Sequence, residues 1–505
     1  MSTESTGPKH SPLLIGTGAF AFLWVVARAA VQSITIDEAD TYLFYVHRAG
    51  LSSWDPASNN HVLNSLLMRL FTSIFGASAF TMRLPAMLGA GVYMVAVYFL
   101  VRVISRRPLL QWALFVCLAF SPLVMDYLVA ARGYSLASAF LLSMIALASC
   151  HLAQDAEGRA AGLWRTCVLV SMSAALSVCA NFSFAIAAAL TAGGIYLWLC
   201  REHPGQRLKI LAAFLLPGFG TAFFVAGSVV LAWPKGQFTW GSTSLFKTIG
   251  SLVSASRFEP NPYLLNPRLY HSFVHFGTFL YPLLAAFVLW RLVVLFFERA
   301  AIQDSGARLA AALVVITGLA VALALACHQF LYSAFGILLP LDRTAMYLML
   351  LFLVLAGALA ALALPTRMGR YSGKALTAIL VLIAGYNIGC LRLTYFNEWK
   401  YNADMKNVYG VLSYYNHTYG VTKVSVNWRY VSTLNCYREL SGRETIEQFP
   451  GAPGQVNYYP PGYQAYVFYY PMDEDFYKRE GLKLVYHDRF SGASVAIRPE
   501  VEAGR

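Results

Sequence analysis

Residues 12–40 read PLLIGTGAFAFLWVVARAAVQSITIDEAD, an apolar run over 12–31 followed at once by polar residues and three acids. An apolar run of about 20 residues is long enough to cross the hydrocarbon core of a bilayer as a helix. Asp37, Glu38 and Asp40 are therefore predicted to lie where this first span leaves the membrane. That junction indicates the fold class and also where to look for chemistry.

The composition of the whole chain agrees with a membrane protein. Of its 505 residues 58% are hydrophobic and 12% charged, about half the charged fraction of an ordinary soluble domain. The net charge of +13 does not indicate a nucleic-acid partner, because residues 397–505 carry 12 basic and 12 acidic residues and the excess lies in the apolar part. The eight cysteines show no CxxC spacing, which argues against a disulfide framework or a cysteine zinc site.

Eleven apolar stretches are predicted to span the membrane. They begin at Pro12, Leu84, Leu109, Gly133, Thr166, Phe182, Ile210, Val274, Leu309, Ala345 and Ala375. Two of the predicted boundaries divide longer apolar runs, one at 126–132 and one at Asn181, because an undivided span would be too long for the bilayer.

Basic residues set the predicted orientation. Segments 1–11, 102–108, 153–165, 201–209, 298–308 and 365–374 together hold fourteen Lys and Arg residues. The positive-inside rule therefore predicts a cytoplasmic N-terminus, and an odd number of spans puts the C-terminus outside. We expect a membrane module over 1–392, with extracytoplasmic loops at 32–83 and 232–272, and an extracytoplasmic domain over 393–505. The 232–272 loop either covers a substrate or is a solvated loop with interfacial tryptophans.

The tail after the last span is predicted to be a small α/β domain. Alternating or apolar runs at 421–428, 465–470, 482–487 and 493–498 are typical of strands, and 399–416 and 472–480 of helices. Its many tyrosines suit either core packing or stacking on a glycan.

The first loop carries the candidate chemistry. Asp37 and Glu38 lie at the membrane surface, where carboxylates are costly to desolvate, and this favours a functional role. The alternative is that Asp37 only caps a helix over 38–48. Further on, the apolar spacing over 63–74 predicts an amphipathic helix, either at the rim of a lipid-accessible groove or packed on the bundle without a ligand. Asn60 and His61 precede it, where free helix amides favour an anion.

Several motifs in this order resemble the GT-C superfamily of integral-membrane glycosyltransferases. They are Thr35-Ile36-Asp37-Glu38, Asn60-His61-Val62-Leu63-Asn64, Phe75-Gly76, Arg83-Leu84-Pro85-Ala86, Ala131-Arg132-Gly133-Tyr134-Ser135-Leu136 and Asp342-Arg343-Thr344-Ala345. Within the superfamily the chain resembles the bacterial branch of protein O-mannosyltransferase-like, aminoarabinose-transferase-like and lipid A galacturonosyltransferase-like enzymes. The chain departs from the aminoarabinose-transferase pattern at Asn60-His61-Val62, where that pattern has a lysine and paired prolines.

This resemblance implies a GT-C type membrane fold and a polyprenyl-phosphate-linked sugar donor. It also implies an extracytoplasmic acceptor hydroxyl on a glycan, lipid or protein, in a bacterial inner membrane. It makes Asp37 the base that activates the hydroxyl, with Glu38 as its neighbour, and Arg83 an arginine needed at the start of the second span. A divalent metal ion on Asp37 or Glu38, as in some relatives, is left open.

Elementary chemistry supports the same assignments. Transfer from a lipid phosphate needs a base at the incoming hydroxyl and positive charge at the departing phosphate. The candidates for the phosphate are Arg83, Arg132, Arg343, His61 and Asn60. Each arginine could instead be a snorkelling residue or part of a structural ion pair, such as one between Arg132 and Asp126.

Other functions fit the sequence less well. The chain has neither a Walker GxxxxGK[ST] motif nor a strand-linked GxGxxG motif, so a nucleotide substrate is not indicated. A transporter or flippase for a lipid-linked or anionic substrate is the main alternative. It requires ionisable residues at mid-membrane depth, whereas nearly all charges here lie at the ends of the predicted spans.

Overall fold

The computed structural model describes residues 11–47, 56–234, 236, 240–256, 267–298, 305–442, 445–450 and 459–503. Most of the chain forms a helical bundle. The helices before the tail are α1 Pro12–Val31, α2 Ile36–Asp40, α3 Val62–Phe75, α4 Ala79–Ile104, α5 Pro108–Ala119, α6 Pro122–Tyr127, α7 Tyr134–Leu152, α8 Ala156–Ala180, α9 Ala185–Glu202, α10 Arg207–Leu231, α11 Leu245–Ser256, α12 Pro267–Glu298, α13 Ser305–Phe335, α14 Met346–Ala361 and α15 Arg367–Gly389.

Within the described residues, ten helices are long and apolar enough to cross a membrane, which confirms a polytopic α-helical fold. The predicted span at Leu109 is divided into α5 and α6. The break falls at Phe120–Ser121 because Pro122 disfavours helical geometry in the residue before it. The two predicted boundaries inside long apolar runs are both found, since α6 ends before α7 begins and Asn181 ends α8.

The broken segment α5–α6 still runs from one end of the bundle to the other. At its start, the Arg107 Nη2 donates to the Ala361 carbonyl at the end of α14 (2.8 Å). At its far end, Asp126 accepts from Arg28 near the end of α1 (2.6 Å). We call the end that holds Arg28 and Asp126 the site end. The segment α5–α6 lies where the sequence predicts an eleventh span, although neither of its helices is among the ten long ones.

Asp126 organises a buried charge cluster at the site end. Its two carboxylate oxygens accept from Arg28 (2.6 Å) and from Arg392 (2.7 Å), and the second also accepts from the Asn397 amide (2.9 Å). The side chains of Arg28, Asp126 and Arg392 are at most 3% exposed. Asp126 thus joins α1, α6 and the segment after α15, and it is not the partner of Arg132.

The tail forms a four-stranded sheet, as predicted. Its elements are α16 Met405–Tyr419, β1 Val424–Val426, α17 Trp428–Ser441, β2 Ala465–Tyr469, α18 Tyr470–Asp473, α19 Phe476–Arg479, β3 Lys483–His487, β4 Ala493–Ile497 and α20 Glu500–Ala503. The strand order is β1-β2-β4-β3, in which β1 and β2 are parallel and the other pairs antiparallel. All four predicted strands are present. The helix α17 was not predicted, because its sequence lacks a clear apolar period.

The tail is joined to the start of the first loop by hydrogen bonds. The Ser33 hydroxyl donates to the Ala403 carbonyl (2.8 Å), and the Ile34 amide donates to the Tyr437 hydroxyl (3.0 Å). The Ile36 amide donates to the Asn402 side chain (3.0 Å). The backbone that leads into α2 is therefore held by the tail. Where a domain boundary falls stays a prediction.

Replacing Asp126 by Asn should destabilise the protein strongly, since two buried guanidinium groups would lose their shared charge. We expect a loss of about 3–5 kcal/mol in the free energy of unfolding, measured as thermal unfolding in detergent. Glu157→Gln, at an exposed position in the first turn of α8, is the matched control. Equal unfolding midpoints for the two variants would contradict this role of Asp126.

Candidate active site

The helix α2 begins with a capping box that uses Glu38. The Thr35 hydroxyl accepts from the Glu38 amide (3.3 Å), and the Glu38 carboxylate accepts from the Thr35 amide (2.9 Å). This arrangement satisfies two amides of the helix start reciprocally. Thr35 is thus the cap, and the alternative that Asp37 caps the helix is wrong. Asp37 lies one residue inside the helix with its carboxylate left for other contacts.

Glu38 and Arg83 form a fully buried ion pair. The Arg83 Nε and Nη2 each donate to the Glu38 carboxylate at 2.8 Å. The remaining three N–H groups of Arg83 donate to the carbonyls of Ala29, Gln32 and Ser33 at 2.8–3.0 Å. Both side chains are 1% exposed. An arginine has five N–H donors in total, and all five are used here.

This pair changes the roles expected of both residues. Arg83 was expected to bind the donor phosphate, but it has no N–H left and no exposed surface from which to do so. Glu38 was expected beside the base. Its carboxylate instead binds Arg83, the Thr35 amide and the Ala131 amide (2.8 Å). Arg83 and Glu38 connect α1, α2, α4 and the segment before α7.

Asp37 faces the open side of the site. Its side chain is 19% exposed, and its Oδ2 lies 3.0 Å from the Arg343 Nη2 and 4.0 Å from the Arg132 Nε. Arg343 belongs to a 3₁₀ turn, Asp342–Ala345, that leads into α14, and Arg132 precedes α7. Residues from three distant parts of the sequence therefore meet at one carboxylate, as the topology predicted for one end of the bundle.

Arg132 is held in place by neutral oxygen acceptors. Its Nη1 donates to the Thr41 hydroxyl (2.9 Å), and its Nη2 donates to the Asn59 side chain. The Nε of Arg132 is buried and has no hydrogen-bond partner in the described structure. The guanidinium is thus fixed in orientation, with one N–H directed toward Asp37 and left for a ligand.

His61 is oriented by the backbone of Gly133. The Gly133 amide donates to the His61 Nδ1 (2.8 Å), so the neutral ring carries its proton on Nε2. That Nε2 lies 3.4 Å from the Arg132 Nη2. Burial and the charges of Arg132 and Arg343 hold the pKa of His61 well below its usual range. A neutral ring with an N–H beside two arginines is suited to donate to an anion.

Gly133 makes this contact possible because it has no side chain. A Cβ at this position would lie 1.8 Å from the Ala180 carbonyl oxygen at the end of α8 and 3.0 Å from the His61 Cβ. Asn60, also expected at the phosphate, is fully buried and accepts from the Ser65 hydroxyl (2.9 Å) in the first turn of α3. Its carbonyl oxygen supports the start of α3 instead of facing the site.

Arg343 has a second partner that the sequence analysis missed. Its Nη1 pairs with Glu398, which also accepts from the Tyr127 hydroxyl, and its guanidinium lies over the Trp399 ring at 5.7 Å. Glu398 and Trp399 lie in the segment between the last span, which ends at Gly389, and α16. An acid next to an aromatic residue at the start of the tail could have suggested a site residue, but nothing in the sequence relates this pair to Arg343.

Asp40 is a third carboxylate near Asp37. Burial is the main cause that raises its pKa to about 6, and the charge of Asp37 adds to it. A hydrogen bond from Ser432 on α17 and the charge of Arg132 act in the opposite direction. Asp40 therefore changes its protonation near neutral pH, one turn along α2 from Asp37.

The described residues do not fit a divalent metal ion. No group of three His, Cys, Asp or Glu side chains lies close enough to hold one in the part of the chain that the structure describes. Both oxygens of Glu38 are taken by Arg83 and backbone amides, and Asp37 faces two arginines. Two cationic side chains at Asp37 oppose the binding of a further positive charge there.

The amphipathic helix predicted over 63–74 corresponds to α3. Its buried positions are Val62, Asn64, Ser65 and Met68, whereas Leu70 and Ile74 are exposed at 49% and 61%. Leu63, Leu66 and Leu67 of the apolar stripe are half-buried against neighbouring clusters, so only the later part of the stripe, at Leu70 and Ile74, faces outward. Of the 232–272 loop, residues 235, 237–239 and 257–266, which include Lys235 and Arg257, lie outside the described residues, and the described part contains α11.

Comparisons with known proteins give similarity only at the level of structure. No protein-family model and no curated protein matches the chain. Among solved structures it is similar to the Archaeoglobus fulgidus oligosaccharyltransferase tethered to an acceptor peptide, at 13% identity and a TM-score of 0.40, over 92% of this chain and 70% of that one.

Two further solved structures are similar over most of this chain. ArnT from Cupriavidus metallidurans in the apo state has 11% identity and a TM-score of 0.35, over 96% of this chain and 97% of that one. Arabinosyltransferase EmbB from Mycobacterium smegmatis has 11% identity and a TM-score of 0.33, over 81% of this chain and 44% of that one. All three are GT-C superfamily membrane glycosyltransferases, the superfamily that the sequence motifs resemble. At these TM-scores the similarity positions no residue of this chain.

Glu38→Gln should act on stability, because it leaves the Arg83 guanidinium buried without a counter-charge. We expect the free energy of unfolding to fall by about 3–5 kcal/mol, with less folded protein recovered from membranes. The double variant Glu38→Gln/Arg83→Met, which removes both charges, should recover part of this loss. A single variant with wild-type thermal stability would contradict the structural role.

Asp40→Asn should stabilise the protein at neutral pH. Because the folded-state pKa is raised from 3.8 to about 6, ionising Asp40 costs stability above pH 6, and this cost disappears as the pH falls toward 4. Two pKa units correspond to about 3 kcal/mol. Thermal unfolding at pH 7.5 and pH 4.5 should show a large gain for the variant at the higher pH and a small one at the lower. A gain that is independent of pH would contradict the assignment.

Proposed function

We propose that this chain is a membrane glycosyltransferase that moves a sugar from a polyprenyl-phosphate donor to a hydroxyl of an extracytoplasmic acceptor, with inversion at the sugar carbon. The observation that carries the proposal is the Asp37 carboxylate, partly exposed at the site end and 3.0 Å from Arg343, with Arg132 and the His61 N–H beside it. A base and a set of phosphate ligands are thereby adjacent.

In this mechanism the chain acts through positioning and charge. The acceptor hydroxyl attacks the sugar C1 from the face opposite the phosphate, and its proton passes to Asp37. The bond between C1 and the phosphate oxygen breaks, and its electron pair leaves with the polyprenyl phosphate. Arg132 and the His61 Nε2–H contact the phosphate, and Arg343 stabilises the charge that grows there.

An apolar cavity near Arg343 supports a lipid-linked donor. It has a volume of about 250 Å³ and lies between α11, α12, α13 and α14. Its walls include Leu348 and Met349, which follow Arg343 by one to two turns, and Ile249 at its edge is 49% exposed. An apolar cavity near Arg343 suits an isoprenoid chain whose phosphate is held at that arginine.

The proposed compartment follows from the ends of the bundle. Arg107 lies at the end opposite the site, beside the end of α14, and most other span-end arginines belong to the same set of loops. The positive-inside rule then makes that end cytoplasmic and the site end extracytoplasmic, with the tail outside. We assign the chain to a bacterial inner membrane on the family resemblance.

Asp37→Asn should abolish most of the transfer, because the amide cannot accept the hydroxyl proton. We expect a rate loss of about 10²- to 10⁴-fold, measured on variant protein that thermal unfolding shows to be folded. Mass spectrometry of the protein in nanodiscs, supplied with a panel of polyprenyl-phosphate sugars and crude envelope acceptors, measures the release of polyprenyl phosphate.

Asp475→Asn, which changes a carboxylate that is 83% exposed in the tail, is the matched control. Full activity of Asp37→Asn would refute the assignment of the base. If folded wild-type protein releases polyprenyl phosphate from no donor in the panel, the result favours the transporter or flippase alternative.

A further inference from the structure

Arg429 at the start of α17 is a stacked but unpaired cation. Its guanidinium carbon lies 4.5 Å from the centre of the Trp428 ring and 5.0 Å from that of the Tyr469 ring. Contact with two aromatic faces restrains the guanidinium without using any of its N–H groups as donors. The side chain is therefore held in place without using up its donors.

No carboxylate pairs with Arg429 among the described residues. Its Nη1 is buried and has no hydrogen-bond partner in this part of the chain. The other arginines near Asp37, namely Arg132 and Arg343, are both within 4.0 Å of a carboxylate oxygen. A buried donor without a partner is costly, and this cost is recovered when a ligand supplies the acceptor.

The position of Arg429 in the tail sheet is that of a ligand site. β1 and β2 run parallel, Trp428 and Arg429 follow the end of β1, and Tyr469 ends β2. Ligands of α/β sheets bind in the crevice beyond the carboxyl ends of parallel strands. Asn427 shapes this edge, because its side chain accepts from the Arg429 amide (3.2 Å) and donates to the Tyr459 hydroxyl (2.8 Å).

This edge of the sheet adjoins the proposed base. The Asn402 side chain accepts from the Ile36 amide (3.0 Å) and donates to the Arg429 carbonyl (3.3 Å), so one side chain bridges the residue before Asp37 and Arg429. Tyr401 lies close enough to feel the charges of both Asp37 and Arg429. Burial and the Asp37 charge raise the pKa of Tyr401 to about 12, and the charges of Arg343 and Arg429 act against this rise.

We infer that Arg429, held by Trp428 and Tyr469, binds an anionic group of the acceptor, so that the acceptor is an acidic glycan or glycolipid with a carboxylate or phosphate near its reactive hydroxyl. This inference rests on the proposed function. The proposed donor ligands Arg132 and His61 come from the membrane bundle, whereas Arg429 comes from the tail. The tail therefore contributes the acceptor side of the site.

Binding of small probes tests the inference without requiring catalysis. The full chain in nanodiscs is titrated with methyl β-glucuronide, glucose 6-phosphate and methyl β-glucoside, and saturation-transfer NMR reports binding. The two anionic probes should bind better than the neutral glucoside, and Arg429→Ala should weaken their binding about tenfold. Arg429→Lys should recover part of it, and Lys423→Ala, an exposed cation elsewhere in the tail, should leave it unchanged.

The outcomes separate the acceptor from the donor. Equal binding of the charged and neutral probes, no binding of any probe at millimolar concentration, or insensitivity to Arg429→Ala would each overturn the inference. So would an Arg429→Ala variant that loses undecaprenyl phosphate but keeps both anionic sugars, since Arg429 would then be a donor ligand. Because no turnover is measured, a failed transfer assay does not affect these results.

Discussion

The buried pair of Glu38 and Arg83 is the interaction on which the site depends. Through its five N–H groups Arg83 holds the end of α1 and the segment that follows it, and through Glu38 it fixes the start of α2 and the Ala131 amide. Two opposite charges in a buried environment are tolerated only when their hydrogen bonds are complete, as they are here. The site end of the bundle is thereby a rigid frame.

Within this frame, adjacent acids have different tasks because successive residues of a helix point about 100° apart. Glu38 is directed into the bundle, where it pairs with the buried Arg83. Asp37 is directed to the open side, toward Arg343 and Arg132. The same division holds for Asn60 and His61, of which one supports α3 and the other presents an N–H. In each pair, one residue forms the buried contacts that fix the local backbone, and this places the side chain of its neighbour at the site.

The sequence allowed the prediction of features that depend on local composition. The crossings, the break at Asn181 and the four strands follow from apolar length and period, and Asp37, Arg132 and Arg343 were assigned to one end of the bundle by topology. Pairings between distant residues were not predictable. An arginine at the start of a span looks the same whether its partner is a phosphate or a glutamate 45 positions earlier, and only the fold distinguishes the two for Arg83. Glu398 and Trp399 were missed for the same reason.

The tail completes the site physically and is not a separate attachment to it. The amide of Ile34 lies before α2 and that of Ile36 is in its first turn, so neither has a helical partner, and they donate to Tyr437 and Asn402 of the tail. Arg343 likewise has its second carboxylate, Glu398, from the segment that begins the tail. Because the same Asn402 also binds the backbone of Arg429, any movement of the sheet edge relative to the bundle would change the surroundings of Asp37. In the proposed function, recognition by the tail and reaction at Asp37 are therefore connected through a few polar contacts.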